Sequence, residues 1–223
     1  MPSTAWSRPR LLEFAAFAGL LYLAGLQGAW AAEEIATLHD LKYSGTVPQT
    51  TDYSCGAAAI ACLLDLYYGL HSSERGVLEL AEQSMRARRE HPGQERGLTA
   101  YDLRAASEAL GMPMVGYRVD LAMLEDFFGR GGLPILVHVT TPRRHYLVII
   151  GLYNGYALVA DPAWGRCIVP TSDLAEYREM SGVVLVPLPD SDHASHARTA
   201  QAAGIAWMKA RLVELGEFRE TIW

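Results

Sequence analysis

The chain has 223 residues, of which half are hydrophobic and a fifth are charged, and its formal net charge is −6. This composition is typical of a globular protein with one domain and some additional segments. The acidic balance gives no electrostatic basis for a nucleic-acid partner. The sequence has no Gly-rich phosphate loop and no HExxH or CxxC spacing, so we predict neither a cofactor nor a metal site.

Residues 1–31 have the features of a secretory signal peptide. Two arginines precede an apolar run, and Ala29-Trp30-Ala31 has small residues at the two key positions of a cleavage site, which predicts cleavage before Ala32. The stretch from Phe14 to Ala32 carries no charge and is just long enough to span a bilayer, so a retained N-terminal anchor is the alternative. In either case we expect the rest of the chain in the periplasm, with membrane contact only if this segment is retained.

The segment from Gln49 to Gly69 predicts an extended loop that leads into a helix at Cys55. A thiol in the first turn of a helix lies near the positive end of the helix dipole and near unpaired N–H groups, which favour the thiolate. The amide of Gln49 could return to the helix start, where it could stabilise an oxyanion together with the backbone N–H of Cys55. A buried structural cysteine is the alternative that this segment alone leaves open.

The number of cysteines also singles out Cys55. The chain has three cysteines, so one thiol stays free if the other two form a disulfide in an oxidising compartment. Cys55 is the natural candidate for the free thiol. Cys62 and Cys167 would then form the pair. We favour two separately buried thiols instead, because Cys62 falls on the core side of its predicted helix.

The rest of the chain divides into a helical part and a β part. We predict helices that begin at Ser72 or Ser73, at Thr99 with a capping box to Asp102, and at Asp120. β-branched runs and turn residues predict strands over 114–119, 134–140, 145–153, 156–160, 166–169 and 182–188, with a short helix over 171–178. This order predicts an α+β fold in which N-terminal helices pack on a mostly antiparallel sheet.

The predicted elements also set the domain boundaries. The folded domain covers 32–189 and is followed by a polar linker over 190–203. Apolar residues then recur at helical spacing, which predicts an amphipathic C-terminal helix over 204–223.

A thiolate nucleophile needs a base within hydrogen-bond reach and a third group that orients the base. Among the histidines, His145 starts a strand directly after a turn, and Asp161 lies at the end of the return strand of the same predicted hairpin. A simple two-residue turn at Asn154-Gly155 would set Asp161 opposite Val148, on the wrong face for His145. The two side chains meet only if a bulge or a wider loop shifts the register by one residue, so the residues alone leave this pair open.

A set of short motifs is spread over most of the chain, from about Val47 to Pro187. The set consists of Gln49, Cys55-Gly56-Ala57-Ala58, Tyr67-Tyr68-Gly69, Gly97-Leu98-Thr99, Leu133-Pro134, His145-Tyr146 and Asp161-Pro162. In combination it resembles the bacteriocin-processing peptidases, cysteine peptidase family 39. The resemblance implies a papain-like cysteine peptidase fold, with Cys55, His145 and Asp161 as the catalytic triad and Gln49 as the oxyanion donor.

The chain differs from the best-known members of that family, which are N-terminal domains of ABC exporters acting in the cytoplasm on double-glycine leader peptides. Here an export signal is predicted, no linked transporter is expected, and Ser54 stands where an Asp is common before the catalytic cysteine. A free-standing, exported member resembles the peptidases that accompany Fap-type functional-amyloid secretion. The resemblance therefore implies a polypeptide substrate, either a leader-bearing peptide or a secreted amyloid subunit, and a secretion pore as a partner.

Three functions remain open on the sequence. We favour an endopeptidase that processes an exported polypeptide within an extended segment. The alternatives are a catalytically silent domain that only binds secretion substrates and a papain-like amidase that acts on cell-wall peptides. Silent relatives usually lose a member of the triad, and no member is lost here, which favours a catalytic function.

Overall fold

The computed structural model describes residues 37–88, 97–140, 142–176 and 180–220. The predicted signal peptide, or N-terminal anchor, lies outside the described residues. No helix within these ranges combines the length and the apolar character that a membrane crossing requires.

Seven helices and six strands make up the described part of the chain, and the predicted α+β class is confirmed. The helices are α1 Leu38–Lys42, α2 Cys55–Cys62, α3 Glu74–Arg88, α4 Ala100–Ala109, α5 Leu121–Gly129, α6 Thr171–Glu176 and α7 Ser191–Glu220. The strands are β1 Met114–Arg118, β2 Ile135–Val139, β3 His145–Tyr153, β4 Tyr156–Asp161, β5 Gly165–Pro170 and β6 Met180–Pro187. A π-helical turn, Leu63–Tyr67, extends α2.

Local sequence signals account for several of these boundaries. Thr99 and Asp102 form the predicted capping box of α4, in which each side chain accepts the backbone N–H of the other residue. Asp120 caps α5 by accepting the backbone N–H of Met123 at 2.8 Å. The turn between β3 and β4 has positive φ at Asn154 and Gly155, 47° and 75°, as a tight hairpin turn of the I′ type requires.

The strands form one antiparallel sheet in the order β1-β6-β2-β3-β4-β5. One face of the sheet carries Val148 and Ile150 and packs against α2, α3, α4 and α7. The opposite face carries Leu147 and Ile149 and packs against α5 and α6. Because successive side chains of a strand point to opposite faces, β3 is buried on both sides, which explains its nearly uninterrupted apolar sequence.

A β-bulge interrupts the pairing between β3 and β4. On the side of the turn, Gly151 pairs with Leu158, whereas beyond the bulge Ile149 pairs with Val159. Ile150 is therefore an extra residue on β3. Such a residue shifts the register of everything that follows it by one position.

The C-terminal helix begins earlier than predicted. The sequence predicted a polar linker over 190–203, but α7 is a single helix from Ser191 onward. Asp190 starts the helix, because its Oδ1 accepts two backbone N–H groups of the first turn at 3.1 and 3.0 Å. Ala197 is fully buried against the sheet, and α7 belongs to the same compact unit as the sheet. Ala197 of the predicted linker is thus part of the core.

Candidate active site

Cys55 is the first residue of α2, where the sequence placed it. The helix is buried along its whole length, so its N-terminus lies inside the molecule. Hydrogen bonds hold the loop before it: the N–H of Thr50 donates to Glu74 Oε1 at 2.7 Å, and Ser54 Oγ accepts the N–H of Thr51 at 3.1 Å. Ser54 also donates to the Thr51 carbonyl at 3.0 Å. Ser54 therefore fixes the turn that leads into the helix.

The bulge in β3 brings Asp161 to the face of the sheet that carries His145. Continuing the shifted register by one residue places Asp161 opposite Leu147 instead of Val148. Leu147 and His145 are two residues apart on one strand, so their side chains share a face. This is the register shift that the sequence required for the two side chains to meet.

His145 and Asp161 form a short hydrogen bond. Asp161 Oδ1 lies 2.8 Å from His145 Nε2 and also accepts the backbone N–H groups of Ala163 at 2.9 Å and Trp164 at 3.2 Å. The Asp161 side chain is fully buried, and 17% of the His145 side chain is exposed. A carboxylate held by three donors fixes the orientation of the imidazole and leaves its Nδ1 for Cys55.

The ionisation of the Cys55 thiol depends on the side chain of His145. Burial opposes ionisation of the thiol, but the hydrogen bond and charge of His145, with backbone hydrogen bonds from Tyr146 and Gly56, lower the pKa of Cys55 below its ordinary value. Burial also disfavours the charged form of His145, but its hydrogen bonds to Asp161 and Cys55 raise its pKa to about 9. The two opposite shifts favour a thiolate–imidazolium pair at neutral pH.

Gln49 links the loop before Cys55 to the loop after Asp161. Its backbone N–H donates to the carbonyl of Pro162 at 3.0 Å, and its side-chain Nε2 donates to the carbonyl of Thr51 at 2.9 Å. Nε2 carries a second hydrogen, and Oε1 is buried without a hydrogen-bond partner among the described residues. The Gln49 amide is therefore held close to the start of α2.

A cleft of about 350 Å³ opens beside Cys55. Its lining residues come from the start of α2, the loop into α4 and one end of the sheet: Asp52, Tyr53, Cys55, Gly56, Gly97, Leu98, Thr99, Ala100, His138, Arg144, Tyr146 and Val183. His138 is held by a contact of 2.8 Å between its Nδ1 and Ser181 Oγ. The thiol thus lies in the wall of an open groove instead of a closed core.

Sequence reasoning missed Glu74, which anchors the loop before Cys55. Its side chain lies in the first turn of α3 and is buried. An acidic residue in the first turn is common in helices because it interacts favourably with the helix dipole. Nothing in the sequence therefore distinguished Glu74 from an ordinary helix start.

Gly56 lies where α2 approaches α4 and β3 most closely. A Cβ on Gly56 would lie 2.7 Å from Leu103 Cδ1 and 3.1 Å from Tyr146 Cδ2, and Leu103 is fully buried. We expect Gly56→Ala to lower the free energy of unfolding by about 1–3 kcal/mol through overpacking. Urea denaturation measures this change.

The matched control is Gly76→Ala in α3, where a Cβ would contact only Ser73 Oγ at an ordinary 3.4 Å. This substitution is expected to raise the free energy of unfolding by about 0.5–1 kcal/mol, because alanine favours the helix over glycine. Equal stability of the Gly56 and Gly76 variants would contradict the close packing at the start of α2.

The other two cysteines do not share the environment of Cys55. All three cysteines are thiols in the structure, which agrees with the favoured interpretation of separate thiols. Cys62 is fully buried, and this burial raises the pKa of its thiol to about 12. Cys167 lies half-buried on β5. The lowered pKa therefore distinguishes Cys55 from Cys62.

A cysteine at a buried helix start, joined through a histidine to a buried carboxylate on an antiparallel sheet, is the arrangement of papain-like cysteine peptidases. Comparison with known proteins agrees with this class. The model of the Peptidase C39 family matches residues 44–192. The chain belongs to this family and is a cysteine peptidase.

Two curated relatives carry the name "Probable functional amyloid protease FapD". The protein from Pseudomonas aeruginosa is 30% identical over 144 residues, which are 62% of this chain and 59% of that protein. The protein from Pseudomonas fluorescens is 26% identical over 162 residues, which are 70% of this chain and 67% of that protein. The match therefore spans about three fifths of the length of the first relative and two thirds of the second.

The peptidase domain of Streptococcus ComA, described as a bifunctional ABC transporter involved in a quorum-sensing pathway, has a similar structure. The two structures superpose with a TM-score of 0.53 at 23% sequence identity. The match covers 65% of this chain and 98% of that domain. The predicted papain-like fold is confirmed by this likeness.

Proposed function

We propose that this chain is an exported cysteine endopeptidase that cuts an extended segment of a secreted polypeptide. In this proposal Cys55 is the nucleophile, His145 the general base, Asp161 the group that orients His145, and Gln49 an oxyanion donor. The observation that carries the proposal is the 2.8 Å hydrogen bond between His145 and the fully buried Asp161, in a site where His145 also lowers the pKa of the Cys55 thiol.

The proposed reaction begins with the thiolate–imidazolium pair. The Cys55 thiolate attacks the carbonyl carbon of the scissile bond, and the resulting oxyanion accepts hydrogen bonds from the backbone N–H of Cys55 and the free N–H of Gln49. The His145 imidazolium then gives its proton to the leaving amine, and the C–N bond breaks to leave a thioester on Cys55. His145 next takes a proton from water, and the hydroxide attacks the thioester; the C–S bond breaks to give a carboxylic acid and to regenerate the Cys55 thiolate beside the His145 imidazolium.

The cleft supports an extended polypeptide as the substrate. It is an open groove with backbone at Gly56 and Gly97 in its wall, and such a groove accepts an unfolded strand more readily than a folded surface. Folded proteins should therefore resist cleavage, while linkers and disordered subunits should be cut. The similarity to two proteins named as probable functional amyloid proteases supports an amyloid subunit as the substrate. A leader-bearing peptide is the alternative substrate, and a secretion pore is the partner that we propose with it.

The N-terminal sequence supports the proposed export to the periplasm, with either cleavage before Ala32 or retention of residues 1–31 as an anchor on the periplasmic side of the inner membrane. Fractionation of cells that express the full chain tests the location. N-terminal sequencing of the exported protein distinguishes cleavage from retention.

Secretion in cells that carry the wild-type enzyme or Cys55→Ala tests the function. The proposal predicts that the secreted polypeptide has different termini, or a lower yield, when the thiol is absent. Identical termini and yields in both strains would refute a processing role. Incubation of the purified protein with an unfolded polypeptide and with cell-wall peptides separates the endopeptidase from an amidase, and cleavage of neither indicates a binding domain.

Replacement of Gln49 by alanine is expected to lower kcat on the order of 10²-fold, because the oxyanion loses one of its two donors. The KM for a peptide substrate should change much less, since this donor acts mainly in the transition state. Gln83→Ala is the matched control, because Gln83 lies on the exposed face of α3. Unchanged kcat in Gln49→Ala would remove Gln49 from the proposed site.

A further inference from the structure

The C-terminal helix donates a hydrogen bond to the bulged residue of β3. Gln201 Nε2, on α7, lies 2.7 Å from the carbonyl oxygen of Ile150 and 2.8 Å from the carbonyl oxygen of Gly132. The side-chain amide of Gln201 therefore donates both of its hydrogens, one to a carbonyl of β3 and one to a carbonyl of the loop that precedes β2. The pairing of β2 with β3 reaches Ile135 and Ile149, so Gln201 joins the two segments directly beyond this pair.

Two glycines allow α7 to come this close to the sheet. A Cβ on Gly151 would lie 2.8 Å from Ile205 Cδ1, and a Cβ on Gly204 would lie 3.1 Å from Leu158 Cδ2. Leu158 is the β4 residue that pairs with Gly151 at the bulge. The helix therefore lies directly on both strands at the point where their register shifts.

We propose that Gln201 is a positioning residue for the catalytic pair, because it holds the Ile150 bulge and thereby the register that brings Asp161 to His145. An extra residue disrupts the ladder locally, and its buried backbone groups need partners from elsewhere. Gln201 supplies a donor to the Ile150 carbonyl. If the bulge were lost, the register would move by one residue and Asp161 would face the opposite side of the sheet.

Gln201 lies outside residues 44–192, which match the family model. The C-terminal helix thus contributes to the geometry of the site from outside the matched domain. This inference rests on the proposed function, because it assigns Gln201 a role through the His145–Asp161 pair.

The test is the pH dependence of Cys55 alkylation by iodoacetamide in the full-length chain. Fragmentation of the peptide that holds both Cys55 and Cys62 by tandem mass spectrometry assigns the label to one of these two thiols, and Cys167 lies in a separate peptide. In the wild type the rate should rise at a pH well below that of an ordinary thiol, because His145 stabilises the thiolate. No substrate is needed for this measurement.

The variant is Gln201→Met, which keeps the length of the side chain and removes both donors. If Asp161 no longer orients His145, the thiolate is less stable, so the rise should move upward by about one pH unit, and the rate at a pH below the wild-type rise should fall about tenfold. Gln83→Met on the exposed face of α3 makes the same change elsewhere and should leave the profile unchanged.

Methionine is preferred over glutamate because of the charges near Gln201. Arg198 and Lys209 line the same surface pocket as Gln201, and a new carboxylate would pair with them. The titratable groups around Cys55 are His145, with Asp161 behind it, and the cleft residues Asp52, Tyr53, His138, Arg144 and Tyr146. Gln201→Met leaves all of these groups in place.

A purely structural role for Gln201 would lower the melting temperature of Gln201→Met but leave the pH of the rise unchanged, and this result would overturn the inference. If Gln201→Met does not fold, Gln201→Asn, which withdraws the amide by one methylene, is measured in its place and should show the same upward shift. A wild-type chain in which Cys55 reacts only at the pH of an ordinary thiol would contradict the proposed function, and the positioning role with it.

Discussion

Replacing Cys55 by alanine is expected to abolish hydrolysis of an unfolded reporter polypeptide, with kcat lowered by about 10⁴-fold or more. The reason is that the thioester intermediate requires a sulfur at this position, and Cys55 is the thiol that affects the pKa of His145. The measurement is the appearance of new peptide termini, followed by mass spectrometry with the purified full-length protein.

Cys167→Ala is the matched control for this loss. Cys167 lies on β5 and outside the cleft lining, so this variant should keep most of the wild-type activity. Wild-type rates in Cys55→Ala would rule out the proposed nucleophile. Equal losses in the two variants would show that activity responds to any cysteine replacement.

Replacing Asp161 by asparagine is expected to lower kcat by about 10²–10⁴-fold, because the carboxylate that orients and stabilises the imidazolium is lost. Asparagine keeps an oxygen that can accept the backbone N–H groups of Ala163 and Trp164, so the loop should stay in place. The largest effect should therefore fall on His145 and not on folding.

Asp161→Asn is also expected to change the pH at which kcat/KM falls. In the wild type, kcat/KM should fall at high pH as His145 loses its proton, at a pKa raised to about 9 by its hydrogen bonds to Asp161 and Cys55 against the effect of burial. Without the carboxylate the pKa of His145 decreases, so this upper limb should move to lower pH. Asp126→Asn, at an exposed residue of α5 paired with Arg130, should leave both kcat and the limb unchanged. An upper limb that stays in place in Asp161→Asn would contradict the assigned pair.

Much of the fold could be predicted from the sequence, because its signals are local. The capping box of α4, the cap of α5 and the hairpin turn each depend on a few neighbouring residues with defined backbone requirements. The start of α2 at Cys55 followed from the periodicity of the residues after it. The C-terminal helix was harder to delimit, since its first turns are rich in alanine and polar residues, and their burial depends on a sheet that is distant in sequence.

The site shows the same division between local and long-range information. The sequence required a register shift between His145 and Asp161 but could not place it, because Ile150 is an ordinary β-branched residue in an apolar strand. The bulge shows only in the pairing of β3 with β4, and the amide that binds its carbonyl belongs to Gln201, in a segment that the sequence assigned to a linker. Glu74 was missed for a similar reason, since its contact with Thr50 joins residues 24 positions apart.

Covalent labelling of the full-length protein tests most directly whether Cys55 is the nucleophile of a thiol peptidase. The protein is treated with a peptide that carries a thiol-directed electrophile, and the adduct is located by mass spectrometry. We predict one adduct per chain, on Cys55, with loss of activity in proportion to labelling and slower labelling in His145→Ala. Adducts on Cys167 instead, with activity retained after labelling, would contradict the assignment of Cys55.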